Sequence, residues 1–207
     1  MSEKILWYIA DPMCSWCWGF MPVIEKIHAE YGDRLKLELL LGGLRPGTKD
    51  PMGRAQRQEI LHHWEAVHRM TGQPFRFAGA LPEGFIYNTE PASRGVVAVS
   101  LIDRGAVFPF FRAVQSAFYT EQQDVTSSLV LAQLAGGMGL DSQRFALIFE
   151  SDMAKNLTRE NFNRSRWLGV SGFPTLLLDN GANYRFLARG YRPSQELCSE
   201  IDEWLQS

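Results

Sequence analysis

The stretch Ala10–Asp11–Pro12–Met13–Cys14–Ser15–Trp16–Cys17–Trp18–Gly19–Phe20 sets two of the chain's three cysteines either side of a Ser–Trp dipeptide. Upstream runs KILWYIA (Lys4–Ala10), a compact apolar segment that suits a strand buried on both faces. Downstream, Phe20, Ile24, Ile27 and Tyr31 recur at helical spacing until Gly32–Asp33 breaks the pattern. In the following RLKLELLLGG, Leu35, Leu37, Leu39 and Leu41 alternate as a second strand. Strand, helix and strand with short joints make a right-handed βαβ unit with parallel strands. The cysteine pair falls on its first strand-to-helix junction.

That position gives the pair a chemistry. A sulfur at a helix N-terminus lies among unpaired N–H groups and the positive end of the helix dipole, and both favour thiolate over thiol. A free cysteine with a pKa near 8.5 is only about 3% ionised at pH 7, so a modest shift changes its reactivity greatly. The spacing puts Cys14 at the exposed lip as nucleophile and Cys17, nearly one turn deeper, as the resolving thiol. Asp11 stands close enough to take the resolving proton, although ending the strand before Pro12 is its ordinary role. Pro22 removes a backbone donor inside the helix and should kink it. Structural zinc needs four ligands, and neither the remote Cys198 nor His62, His63 and His68 complete such a set, so no metal is assigned.

The 207 residues carry a net charge of −2, which gives no global pull toward nucleic acid or anionic membrane. The N-terminal segment lacks the basic and long apolar regions of a secretory leader, and no stretch approaches the ~20 apolar residues of a membrane span. A cytoplasmic location is the expectation, where a vicinal cysteine pair serves catalysis or sensing more often than structure. From about Gly43 to Trp167 the periodicity is helical, with Thr89 as an N-cap and Pro91 in the first turn of one helix. Strands return at PTLLLD (Pro174–Asp179) and YRFLARG (Tyr184–Gly190), joined by an NGAN turn, before a closing amphipathic helix capped by Ser194. The layout is α/β: residues 1–42 and 168–207 build a split βαβ…ββα domain, and residues 43–167 an all-helical insertion.

A CxxC after the first strand, Pro22 five residues past Cys17, and the late GVSGFPTLLLD together resemble the thioredoxin fold. The helical insertion resembles its DsbA-like branch, and DPMCSWCWGF, NTEPASR and LGVSGFPTLLL are similar to bacterial DsbA-family proteins described as protein-disulfide isomerases. The resemblance implies that Cys14 is the nucleophile, Cys17 the resolving thiol and Pro174 a cis-proline set beside them. Phe173 would then offer its backbone to an extended substrate. From the residues alone, Pro174 could equally begin an edge strand. Ser–Trp between the cysteines, in place of the Pro–His of the secreted oxidants, leaves the redox potential and the direction of electron flow open.

Met13 and Trp16 flank the nucleophile and read as surface contacts for an unfolded peptide, whereas Phe20 and Met21 read as core. Cys198 reads as a buried inert thiol, His62 and His63 as a solvated helix face, and Arg94 as a surface or capping residue. The expectation is a thiol–disulfide oxidoreductase, a protein disulfide reductase or isomerase. It would act on protein or peptide thiols and disulfides, with no bound cofactor and glutathione as a candidate co-substrate. The alternatives are a glutathione-dependent transferase or isomerase of small molecules, or a non-catalytic binding module on the same scaffold.

Overall fold

The computed structural model describes residues 3–206. Four strands, β1 (Ile5–Ala10), β2 (Lys36–Leu41), β3 (Thr175–Asp179) and β4 (Tyr184–Arg189), form one sheet in the order β2-β1-β3-β4. β2 runs parallel to β1, from Ile5 opposite Lys36 to Ala10 opposite Leu41. β3 is antiparallel to β1 and pairs with β4 as a hairpin, with an irregularity between Leu176 and Leu177. Helix α1 (Ser15–Tyr31) is the βαβ crossover and stops at Gly32, whose φ of 47° a residue with a Cβ rarely adopts. The expected double burial of β1 holds at Tyr8–Ala10, while Ile5 and Trp7 are only partly covered.

Six helices lie between β2 and β3: α2 (Arg54–Thr71), α3 (Glu90–Ile102), α4 (Val107–Tyr119), α5 (Ser128–Gly137), α6 (Ser142–Glu150) and α7 (Asp152–Trp167). Helix α8 (Ser194–Gln206) closes the chain. Leu6, Tyr8, Ala10, Leu41, Leu176 and Leu178 of the sheet join Phe20 and Ile24 of α1, the inner faces of the inserted helices, and Leu197 and Ile201 of α8 in one continuous core. A smaller cluster of Ile9, Leu40, Leu168 and Leu177 covers the other face. Among the described residues no helix is long and apolar enough to cross a membrane.

Two capping expectations need correction. Thr89 occupies the N-cap position of α3, but its side chain makes no cap bond; the hydroxyl accepts instead from the Arg45 N–H at 3.1 Å. Helix α8 begins at Ser194 itself, because the Pro193 carbonyl already accepts from the Leu197 N–H. Pro22 does lie inside α1. It deprives the Trp18 carbonyl of its usual donor four residues on, and Gln73 Nε2, just beyond α2, donates to that carbonyl at 2.9 Å.

Candidate active site

The end of β1 and the start of α1 leave Cys14 as the N-cap, with extended φ and ψ of −90° and 118°. Its N–H donates to the Asp11 carbonyl and its own carbonyl accepts from the Trp18 N–H, each at 3.1 Å. The sequence therefore places the first cysteine where expected along the chain, but not at an open lip. Cys14 is only 6% exposed, because the loop before β3 folds over it. Its thiol donates to the Phe173 carbonyl at 3.6 Å, and the Phe173–Pro174 peptide is cis. Among the described residues no backbone group accepts from the Phe173 N–H.

Cys17 is fully buried one turn deeper in α1. Burial pushes its thiol well above the usual range, and the neighbouring Cys14 adds to the effect; a backbone hydrogen bond from Asp11 opposes it. Behind the pair sits the Asp11 carboxylate, with no exposed surface. Burial raises it to about 6, against the pull of donors at Leu44, Met13 and Thr89. Those bonds are direct: Leu44 N–H to Oδ2 at 2.7 Å and Met13 N–H to Oδ1 at 2.9 Å. Asp11 does follow the last residue of β1, as its strand-ending role implies, and its carboxylate also ties Leu44 and Met13 together behind the start of α1.

Of the two expected surface contacts, only Trp16 is accessible. It is half-buried, its ring 6.4 Å from that of Tyr191. Met13 is wholly buried, since its side chain belongs to the main core and the Tyr87 hydroxyl donates to its carbonyl. A Met13 side chain in that position cannot meet a visiting peptide. Phe20 and Met21 are core, as their spacing implied. A shallow hollow of about 240 Å³ lies beside Phe173, bounded by Ser171, Gly172, Thr175, Arg189 and Gly190.

The remaining candidates lie elsewhere. Cys198 packs near the far end of α1, where the Tyr31 hydroxyl donates to its carbonyl at 2.8 Å. A 17-residue helix spans roughly 25 Å, so Cys198 cannot reach the pair. His62 and His63 are exposed on α2. Arg94 fits the capping reading rather than the surface one: it donates to the Phe149 carbonyl in the last turn of α6 and to Glu90 Oε1, each at 2.9 Å, and lies over the Phe149 ring. Tyr8 and Tyr87 had not been singled out in the sequence. Tyr8 carried a signal, since it alternates with Leu6 and Ala10 on the face of β1 that meets α1; Tyr87 lies in a loop and carried none.

A thioredoxin-like sheet with a helical insertion, a CxxC opening the first helix and a cis-proline against it defines the class. The chain belongs to the DSBA-like thioredoxin domain family, whose profile matches residues 6–197. A solved candidate protein disulfide isomerase from Nitrosomonas europaea is 51% identical and superposes with a TM-score of 0.94, covering 99% of this chain and 98% of its own. The cytosolic disulfide reductase DsbM of Pseudomonas aeruginosa, solved also with GSH, is 26% identical with a TM-score of 0.83, covering 98% of this chain and all of its own. The ClpXP adapter protein SpxH of Halalkalibacterium halodurans is 24% identical over 174 residues, which are 82% of this chain and 56% of that protein. The chain thus spans little more than half the length of the curated relatives it matches.

Proposed function

We propose that the protein is a cytoplasmic thiol–disulfide oxidoreductase, working as a reductase or isomerase of protein and peptide disulfides through Cys14 and Cys17. The observation that carries this reading is the place of Cys14 and Cys17 at the opening of α1, with the Cys14 thiol donating to the carbonyl of Phe173 just ahead of the cis-proline. The Cys14 thiolate attacks a substrate disulfide, joins one sulfur in a mixed disulfide and releases the other as thiolate. Cys17 then gives up its proton and attacks Cys14, freeing the second substrate thiol and leaving a Cys14–Cys17 disulfide. Two glutathione molecules return the pair to dithiol and leave as glutathione disulfide. The structure of the DsbM relative with GSH supports that partner.

Burial holds the proton on Cys17, so the second attack needs a base. Asp11 is the group we assign: a carboxylate at about 6 is largely ionised at neutral pH, and it is as fully buried as Cys17, close enough for its charge to act on that thiol. The Phe173 N–H and its carbonyl suit an extended substrate segment docking as an added strand. Trp16 with Tyr191 gives that segment an apolar contact.

Thiol exchange with a mixed-disulfide probe tests the assignment. Cys14→Ser should lose turnover, and Cys17→Ser should accumulate a covalent adduct on Cys14, read by intact mass. Equal turnover in the wild type and both variants overturns the dithiol mechanism. The SpxH relatives favour a second reading, a docking module. A chain that exchanges no thiols yet binds a partner protein would promote it.

A further inference from the structure

We propose that the hydroxyls of Tyr8 and Tyr87 are positioning groups that hold the Cys14–Cys17 pair in its dithiol geometry and so set its equilibrium with glutathione. The inference rests on the dithiol-exchange reading above. Tyr8 projects from β1 into the core, its ring 6.0 Å from Phe20 and 6.1 Å from Phe111, and is fully buried. Its hydroxyl donates to the Cys17 carbonyl at 3.3 Å. Tyr87 comes from the loop ahead of α3, packs between Phe85 and Phe118, and donates to the Met13 carbonyl. One carbonyl immediately precedes the motif and the other belongs to its last residue. Each is tied to a separate part of the fold, and neither tie comes from α1.

Two consequences follow, both of one sign. The two cysteines are unbonded, and a disulfide brings its sulfurs far closer than unbonded sulfurs approach, so closing it draws the two residues together. Carbonyls anchored on both sides resist that movement and favour the dithiol. The Tyr8 hydroxyl also sets a neutral O–H group near both sulfurs, where it can favour a forming thiolate. Tyr8 feels that charge in return: burial chiefly, and then Cys17 and Cys14, push its phenol well above the ordinary range.

The experiment equilibrates the protein with glutathione buffers, in which Cys14–S–S–Cys17 plus two GSH gives the dithiol plus GSSG. The oxidised fraction is read by mass after alkylation. Tyr8→Phe and Tyr87→Phe remove a hydroxyl and keep the ring. Each should move the constant about fivefold toward the disulfide, the weight of one neutral hydrogen bond, or ~20 mV at 30 mV per decade. Tyr31→Phe is the control, since it loses a buried tyrosine hydrogen bond at the far end of α1 and should leave the constant unchanged while lowering Tm. If the Phe variants misfold, 3-fluorotyrosine at position 8, a stronger donor of the same shape, should shift the constant toward the dithiol. Unchanged constants in folded variants, a shift of the opposite sign, or an equal shift in Tyr31→Phe would each overturn the proposal. A wild-type chain that forms no Cys14–Cys17 disulfide in oxidised glutathione overturns the exchange reading, and this inference with it.

Discussion

Asp11 holds its proton more tightly than an exposed carboxylate because burial outweighs the donors around it, and the native value settles at about 6. An unfolded chain loses the same proton near pH 4. Between these values the native state binds more protons than the unfolded state, so stability declines as pH rises through the window. The full effect at neutral pH is on the order of 3 kcal/mol. Urea midpoints taken from pH 4 to 7 should fall in the wild type and run flatter in Asp11→Asn. That variant also loses the Leu44 N–H acceptor or faces it with an amide, so it should start lower at pH 4. In the exchange assay it should slow release of the second substrate thiol by at least ~10-fold and spare adduct formation on Cys14. A resolving step unaltered in rate and pH profile would remove Asp11 from the mechanism. Spacing alone put Cys14, Cys17 and Asp11 near one another. It could not say that Asp11 is sealed, because two of its three donors, Leu44 and Thr89, come from far along the chain. Met13 misled for a related reason: a neighbour of the nucleophile in sequence turns inward once Tyr87 takes its carbonyl.

At the scale of elements, two joints decide where the pair sits. The first is α1, which tolerates Pro22 because Gln73 donates to the carbonyl that the proline leaves free. The second is the end of β2. A Cβ on Gly42 would stand 1.9 Å from the Phe173 ring, so the glycine is what lets the loop before β3 close over Cys14. Gly42→Ala must push that ring away, and with it the carbonyl that accepts from the Cys14 thiol. The expected result is a loss of about 1–3 kcal/mol in chemical denaturation, with slower attack on a disulfide probe. Wild-type exchange kinetics in a destabilised Gly42→Ala would show that the loop's closure does not matter to the chemistry. The elements themselves were legible: apolar runs and alternation marked the strands, and helical periodicity marked the crossover, the insertion and the closing helix, since each turns apolar side chains to a core. Their meeting at Gly42 and Phe173 was not, because 131 positions separate the two residues and no local pattern couples them.

Across the whole molecule the chain reads as two regions but packs as one body. The sequence divides a split sheet domain from residues 43–167, since helical periodicity replaces strand alternation there. The core ignores that division: Tyr8 of the sheet meets Phe111 of α4, and the buried set continues through Phe110 to Phe145 and Phe149 of α6. The site depends on this continuity, because Tyr87 and Thr89 reach it from the inserted region. A body with one core should lose it at once. Far-UV and near-UV signals should therefore give superimposable denaturation curves, with no earlier transition from the inserted helices. Phe111→Ala opens a cavity at the seam and should lower both midpoints together by about 3–5 kcal/mol. A variant in which the inserted helices melt first, leaving the sheet and the Cys14–Cys17 chemistry intact, would mean that the insertion is a separable domain and that its residues do not build the site.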